Sequence, residues 1–76
     1  MSRLYSSREV VRALERADFV QVTARGSHLK LRRTREGESR TVIVKHPARE
    51  IPAGTFSSIL RQAGLSRQEF EDLLGS

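Results

Sequence analysis

The hydrophobic period of this chain changes twice, and that double change limits its fold more than any other feature. Up to Ala17 the apolar side chains recur every three or four residues; from Phe19 to Lys45 they alternate; from Phe56 to Leu74 the helical spacing returns. The first helix is well signalled. Ser6 and Glu9 stand at capping-box spacing, where each side chain satisfies a free backbone donor of the other, and Tyr5 and Val10 occupy the positions of a hydrophobic staple. Val10, Leu14 and Ala17, with Val11 and Ala13 alongside, form the apolar stripe, while Arg8, Arg12, Glu15 and Arg16 mark the wet side.

After Asp18, Phe19 to Thr23 reads as a strand, and Arg25-Gly26-Ser27 as a turn in which glycine supplies the backbone freedom. His28 to Arg33 alternates again, with Leu29 and Leu31 on one face and His28, Lys30 and Arg32 on the other. Thr34 to Ser39, polar and containing Gly37, reads as a second hairpin loop. Thr41 to Lys45 makes a third strand, ended by Pro47, which has no N–H to give a ladder. Phe56, Ile59, Leu60 and Ala63 then lie at helical spacing, with Gly64 where a helix-ending glycine belongs and Pro52 before the helix or in its first turn. Ser66 with Glu69 repeats the capping box, Leu65 with Phe70 the staple, and Phe70, Leu73 and Leu74 carry a short last helix.

The order α-β-β-β-α-α predicts an α+β fold, a three-stranded antiparallel sheet with helices on one face and the other face open. Seventy-six residues, of which 37% are hydrophobic, suffice for a single domain over 1–76 with a thin core. A chain of this size has no room for a closed catalytic cavity, so any chemistry belongs on an open surface. Under the alternation above, His28 is one such surface residue rather than a core residue.

Charge suggests a partner. Fourteen lysines and arginines against nine acids give a formal charge of +5, a balance that favours polyanions through counterion release. The excess is concentrated in the middle of the chain, where Arg25, Lys30, Arg32, Arg33, Arg35, Arg40 and Lys45 face only Glu36 and Glu38. Nucleic acid is therefore the expected partner. There are no cysteines, which removes disulfides, thiolate nucleophiles and cysteine-held metals and fits a cytoplasmic setting. The N-terminal MSRLYSSREVVRAL lacks the apolar run of a signal peptide, and no stretch approaches a membrane span, so no membrane association is expected. No phosphate-cradling glycine loop and no metal-ligand spacing between the two histidines are present, so neither a metal nor a cofactor is expected.

Taken together, Gly26-Ser27-His28, the basic hairpin, a strand ending in His46, Glu50-Ile51-Pro52-Ala53-Gly54-Thr55-Phe56 and Ser58-Ile59-Leu60-Arg61-Gln62-Ala63-Gly64-Leu65-Ser66 resemble the HicA family. These are the RNA-cleaving toxins of HicAB toxin–antitoxin systems. The G-S-H triplet alone is weak; combined with I-P-x-G-T and I-L-R-Q-A-G-L at these spacings it is strong. The similarity runs from about Ser6 to Leu74. It implies a fold like a double-stranded-RNA-binding domain, a single catalytic histidine, an mRNA target and a HicB-like antitoxin partner, and the histidine of the triplet falls on His28. One departure stands out: members often carry proline near Val44 and an apolar residue near Lys45. The facing of the third strand is thus open. If Ile43 points inward, His46 shares the open face with His28; if Val42 and Val44 do, it does not.

The chemistry fits a histidine on a cationic surface. RNA supplies its own nucleophile, and cleavage needs its 2′-hydroxyl deprotonated, charge on the phosphate stabilised and the 5′-oxygen protonated. Imidazole serves either proton transfer, because its ordinary pKa lies near neutrality. Lys30 and Arg32 are candidates for phosphate contact, against the plain reading of solvated charges. Gly26 and Ser27 are RNA-binding candidates too: Gly26 is a turn glycine that also lets a phosphate approach the backbone, and Ser27 bonds within the turn rather than acting as a nucleophile. Arg33 faces the other way. His46 has two readings, an accessory acid–base group or a strand-end residue bonding the backbone beside Pro47. The function expected is that of a metal-independent endoribonuclease toxin; the alternative is a non-catalytic RNA-binding module of the same fold.

Overall fold

The computed structural model describes residues 3–76; Met1 and Ser2, the first two positions of the N-terminal stretch, lie outside the described residues. Helix α1 (Ser7–Arg16) starts at the expected capping box: Glu9 N–H donates to Ser6 Oγ (3.1 Å) and Ser6 N–H to Glu9 Oε1 (2.9 Å). It ends without a glycine. Asp18 takes the left-handed conformation (φ 73°), so that Asp18 N–H reaches the Glu15 carbonyl and Phe19 N–H the Leu14 carbonyl. This reversal turns the chain into β1 (Val20–Arg25), which is followed by β2 (His28–Arg35) and β3 (Glu38–Lys45) in an antiparallel sheet of order β1-β2-β3. Helices α2 (Ala53–Ala63) and α3 (Arg67–Leu74) complete the α-β-β-β-α-α order. Pro52 is the cap before α2, and Gly64 (φ 72°) ends that helix as its position suggested.

The second hairpin is tighter than the sequence suggests. The loop expected over Thr34 to Ser39 is reduced to Glu36 and Gly37, both at positive φ (52° and 78°), and the strands run on through Thr34 and Ser39. Two consecutive left-handed residues give the turn twist that matches paired strands, which favours zipping the hairpin to its tip. β1 begins at Val20 rather than Phe19, and its register slips between Gln21 and Thr23, bulging the strand at Val22.

Leu31 lies opposite Val42 and Leu29 opposite Val44, and Leu31, Val42 and Val44 are fully buried. The third strand therefore turns Val42 and Val44 inward and Ile43 outward, where it is 42% exposed. Val10, Ala13 and Leu14 of α1, Phe56, Ile59, Leu60 and Ala63 of α2 and Phe70 of α3 join these strand residues in one core. Phe70 is sealed within a trio of rings, with centroids 4.9 Å from Tyr5 and 4.9 Å from Phe56. Leu73 and Leu74 pack half-buried beside it, so this last helix closes the core. Arg16 fixes the joint by donating to the Leu73 and Leu74 carbonyls in the last turn of α3, at 2.9 and 3.0 Å.

Both capping carboxylates sit below the ordinary glutamate value of 4.5, Glu9 chiefly through the Ser6 backbone N–H and then the Arg3 guanidinium, Glu69 chiefly through the Ser66 backbone N–H. A carboxyl whose folded pKa is depressed adds stability above its unfolded value, and that stability is lost as pH falls through the folded one. Urea midpoints should therefore hold from pH 7 to about 5 and drop below about 4. The double variant Glu9→Gln, Glu69→Gln should start less stable at pH 7 and lose less on acidification.

Candidate active site

His28 is the first residue of β2, and the two-residue turn before it decides its surroundings. Gly26 takes φ 57° at the first turn position, a conformation that side chains resist. A Cβ there would meet nothing within 4 Å, so glycine is required by the backbone and not by space. Such a short turn sets Arg25 directly opposite His28, and on its other side β3 sets Lys45 opposite it. The imidazole is exposed, and among the described residues no side chain hydrogen-bonds it. Both ring nitrogens are open to a substrate.

The neighbouring rows extend this cationic surface. Lys30 lies between Thr23 and Ile43, and Arg32 between Val20 and Thr41, whose hydroxyl accepts from Arg32 Nε at 3.2 Å. Thr23, Arg25, His28, Lys30 and Ile43 border one shallow concavity on the open face. Val20, Val22 and Ile43 are large apolar residues exposed there, at 63%, 44% and 42%.

The arginines divide by use. Arg3, Arg35, Arg40 and Arg67 each pair with a carboxylate, and Arg16 caps α3. Arg33, half-buried, faces away as expected: it donates to the Ala17 carbonyl at 3.1 Å and lies 4.8 Å over the Phe19 ring. Among the described residues Arg25, Lys30 and Lys45 have no such partner. Arg25 and Lys45 count among the basic residues of the sequence without any sign there that they flank His28; the two-residue loop length is the signal that would have shown it.

Ser27 works through its backbone. Its carbonyl accepts from the His46 N–H at 2.7 Å, a bond from the turn to the end of β3 rather than one inside the turn. His46 itself follows Val44 to the helix side, so the two histidines occupy opposite faces at the same end of the sheet. Its Nδ1 lies 2.8 Å from the hydroxyl of Ser7, a buried serine that also accepts from Ala48 N–H at 2.9 Å. His46 thus bonds a side chain of α1 as well as the backbone.

Among the described residues no three His, Asp or Glu side chains group in a way that could hold a metal ion, and no helix is long and apolar enough to cross a membrane. A family model described as the HicA toxin of bacterial toxin–antitoxin systems matches residues 7–65, most of the chain and all of the surface around His28. No curated protein matches the chain.

Proposed function

The chain belongs to the HicA toxin family of bacterial toxin–antitoxin systems, and on that premise we propose that it is a metal-independent mRNA endonuclease acting through His28. The observation that carries this reading is the imidazole beside the tip of the β1–β2 hairpin, with both nitrogens free and Arg25 and Lys45 on either side. RNA laid on the open face brings a ribose against the ring and its phosphate among cations. The base removes the 2′-hydroxyl proton, the 2′-oxygen bonds the adjacent phosphorus, the bond to the 5′-oxygen breaks, and a proton is delivered to that oxygen. His28 performs one of the two transfers. Arg25, Lys30, Arg32 and Lys45 offset the charge that gathers on the phosphoryl oxygens, with arginine offering a forked pair of donors. Gly26 keeps the hairpin tip slim enough for a phosphate to approach the backbone at Ser27.

A HicB-like antitoxin holds the toxin in check by covering the same face. The exposed Val20, Val22 and Ile43 among unpaired cations suit a partner with an apolar strip bordered by carboxylates. The decisive experiment reads the product ends. Purified chain incubated with a transcript in EDTA should leave 2′,3′-cyclic phosphates and 5′-hydroxyls. Fragments with 3′-hydroxyl ends, or cleavage abolished by the chelator, would contradict this route, and RNA bound but left whole would favour a binding module.

A further inference from the structure

The helix side of the sheet carries a second unpaired basic cluster that the His28 chemistry does not use. Gln21 and Leu29 of the sheet line a groove together with Arg8, Val11 and Arg12 of α1 and with His46. We propose that this groove seats a further phosphate of the substrate RNA, bound by Arg8, Arg12 and His46, so that the strand wraps the hairpin end of the sheet. The inference rests on the RNA-cleaving reading and adds to it the path of the substrate.

Four observations support it. Arg8 and Arg12 stand four residues apart on one exposed side of α1, and among the described residues neither pairs with a carboxylate. Like charges at that spacing repel, an arrangement that gains from an anion placed between them. The second observation is that the His46 ring is anchored, its Nδ1 2.8 Å from the Ser7 hydroxyl, which leaves Nε2 unbonded among the described residues. The Ser7 hydroxyl has one proton to give, and its contact to His46 Nδ1 (2.8 Å) is shorter than that to the Ala48 carbonyl (3.3 Å), an oxygen that already accepts Ser7 N–H. A phosphate in the groove favours the form of the ring that carries a proton on Nε2, with the Ser7 hydroxyl donating to Nδ1.

Continuity with the His28 site is the third observation. The 2.7 Å bond from His46 N–H to the Ser27 carbonyl ties the groove to the residue next to His28, so a strand leaving one histidine meets the other around the turn. The fourth is where the groove ends. Glu15 lies at its far end and repels a phosphate there, whereas Arg49 lines the adjoining concavity with Arg8 and His46. The anion is thereby confined to the end nearest the hairpin.

The test uses the full chain and a single-stranded oligoribonucleotide with 2′-O-methyl riboses, which has no nucleophile and stays intact. Affinity is followed by fluorescence anisotropy between about 50 and 200 mM salt, the range over which phosphate binding shows in the slope. Arg61→Gln, an exposed α2 arginine far from the groove in the chain, controls for loss of charge alone. The double variant Arg8→Gln, Arg12→Gln should bind about tenfold more weakly and lower the slope of log affinity against log salt by about 0.7 for each phosphate no longer neutralised. His46→Phe, which keeps a ring and loses the donor, should weaken binding several-fold. If both groove variants track Arg61→Gln in affinity and slope while RNA still binds, the groove proposal is overturned and the His28 reading stands. If the unaltered chain has no affinity for this RNA, the ribonuclease reading fails and takes the groove with it.

Discussion

Replacing His28 with alanine is expected to lower RNA cleavage by a factor of about 10² to 10⁴ while leaving the fold in place. The imidazole is exposed at a strand end and gives no bond to any other described side chain, so its loss opens no cavity and strands no polar group. Stability should stay within about 0.5 kcal/mol of the parent, as for surface positions generally. His28→Gln sharpens the expectation: glutamine can still hydrogen-bond a ribose but exchanges no proton near neutrality, so it should fall as far as alanine. Single-turnover cleavage of a labelled transcript, with thermal melts of each variant, decides the matter. A folded alanine variant that cleaves and arrests growth as well as the parent would remove His28 from the mechanism.

The element order was legible because the hydrophobic period itself changes, and because Pro47 stops the third strand. Ser6 and Ser66 cap helices from within the sequence, and Gly64 ends one. What escaped was local geometry set by residues that do not advertise it. Asp18 adopts a left-handed turn usually given to glycine, because the chain must reverse there to put Phe19 under the core. Glu36 does the same in the second hairpin, which is why a longer loop, Thr34 to Ser39, was expected where two residues suffice. The facing of β3 could not be settled from its own apolar run, since Val42, Ile43 and Val44 are equally apolar. Pairing with Leu29 and Leu31 decides it, and with it the side on which His46 lies.

The candidate site shows the same division. His28, Lys30 and Arg32 share a face by simple alternation, which a sequence displays directly. Arg25 and Lys45 come beside His28 only through strand pairing, so they become visible once loop length and register are fixed. The Ser7–His46 bond joins positions 39 residues apart and has no sequence signature at all.

The largest loss of stability should come from Phe70→Ala. Phe70 is completely buried and stacks edge-on against both Tyr5 and Phe56, so truncation removes one ring from a trio and leaves a hole the backbone of α3 cannot fill. Such substitutions cost about 3–5 kcal/mol, against a total of about 5–15 kcal/mol for a whole domain. At about 4–8 °C per kcal/mol for a chain of this size, the melting temperature should fall by more than about 12 °C. Phe70→Leu, which keeps most of the volume, should lose clearly less. Cleavage separates this variant from His28→Ala. At low temperature, where a folded fraction survives, each folded Phe70→Ala molecule retains His28 and its flanking cations and should cut RNA at close to the parental rate. On warming, activity should vanish along the melting curve. A melting temperature within a few degrees of the parent would mean that α3 is not the element that seals the core.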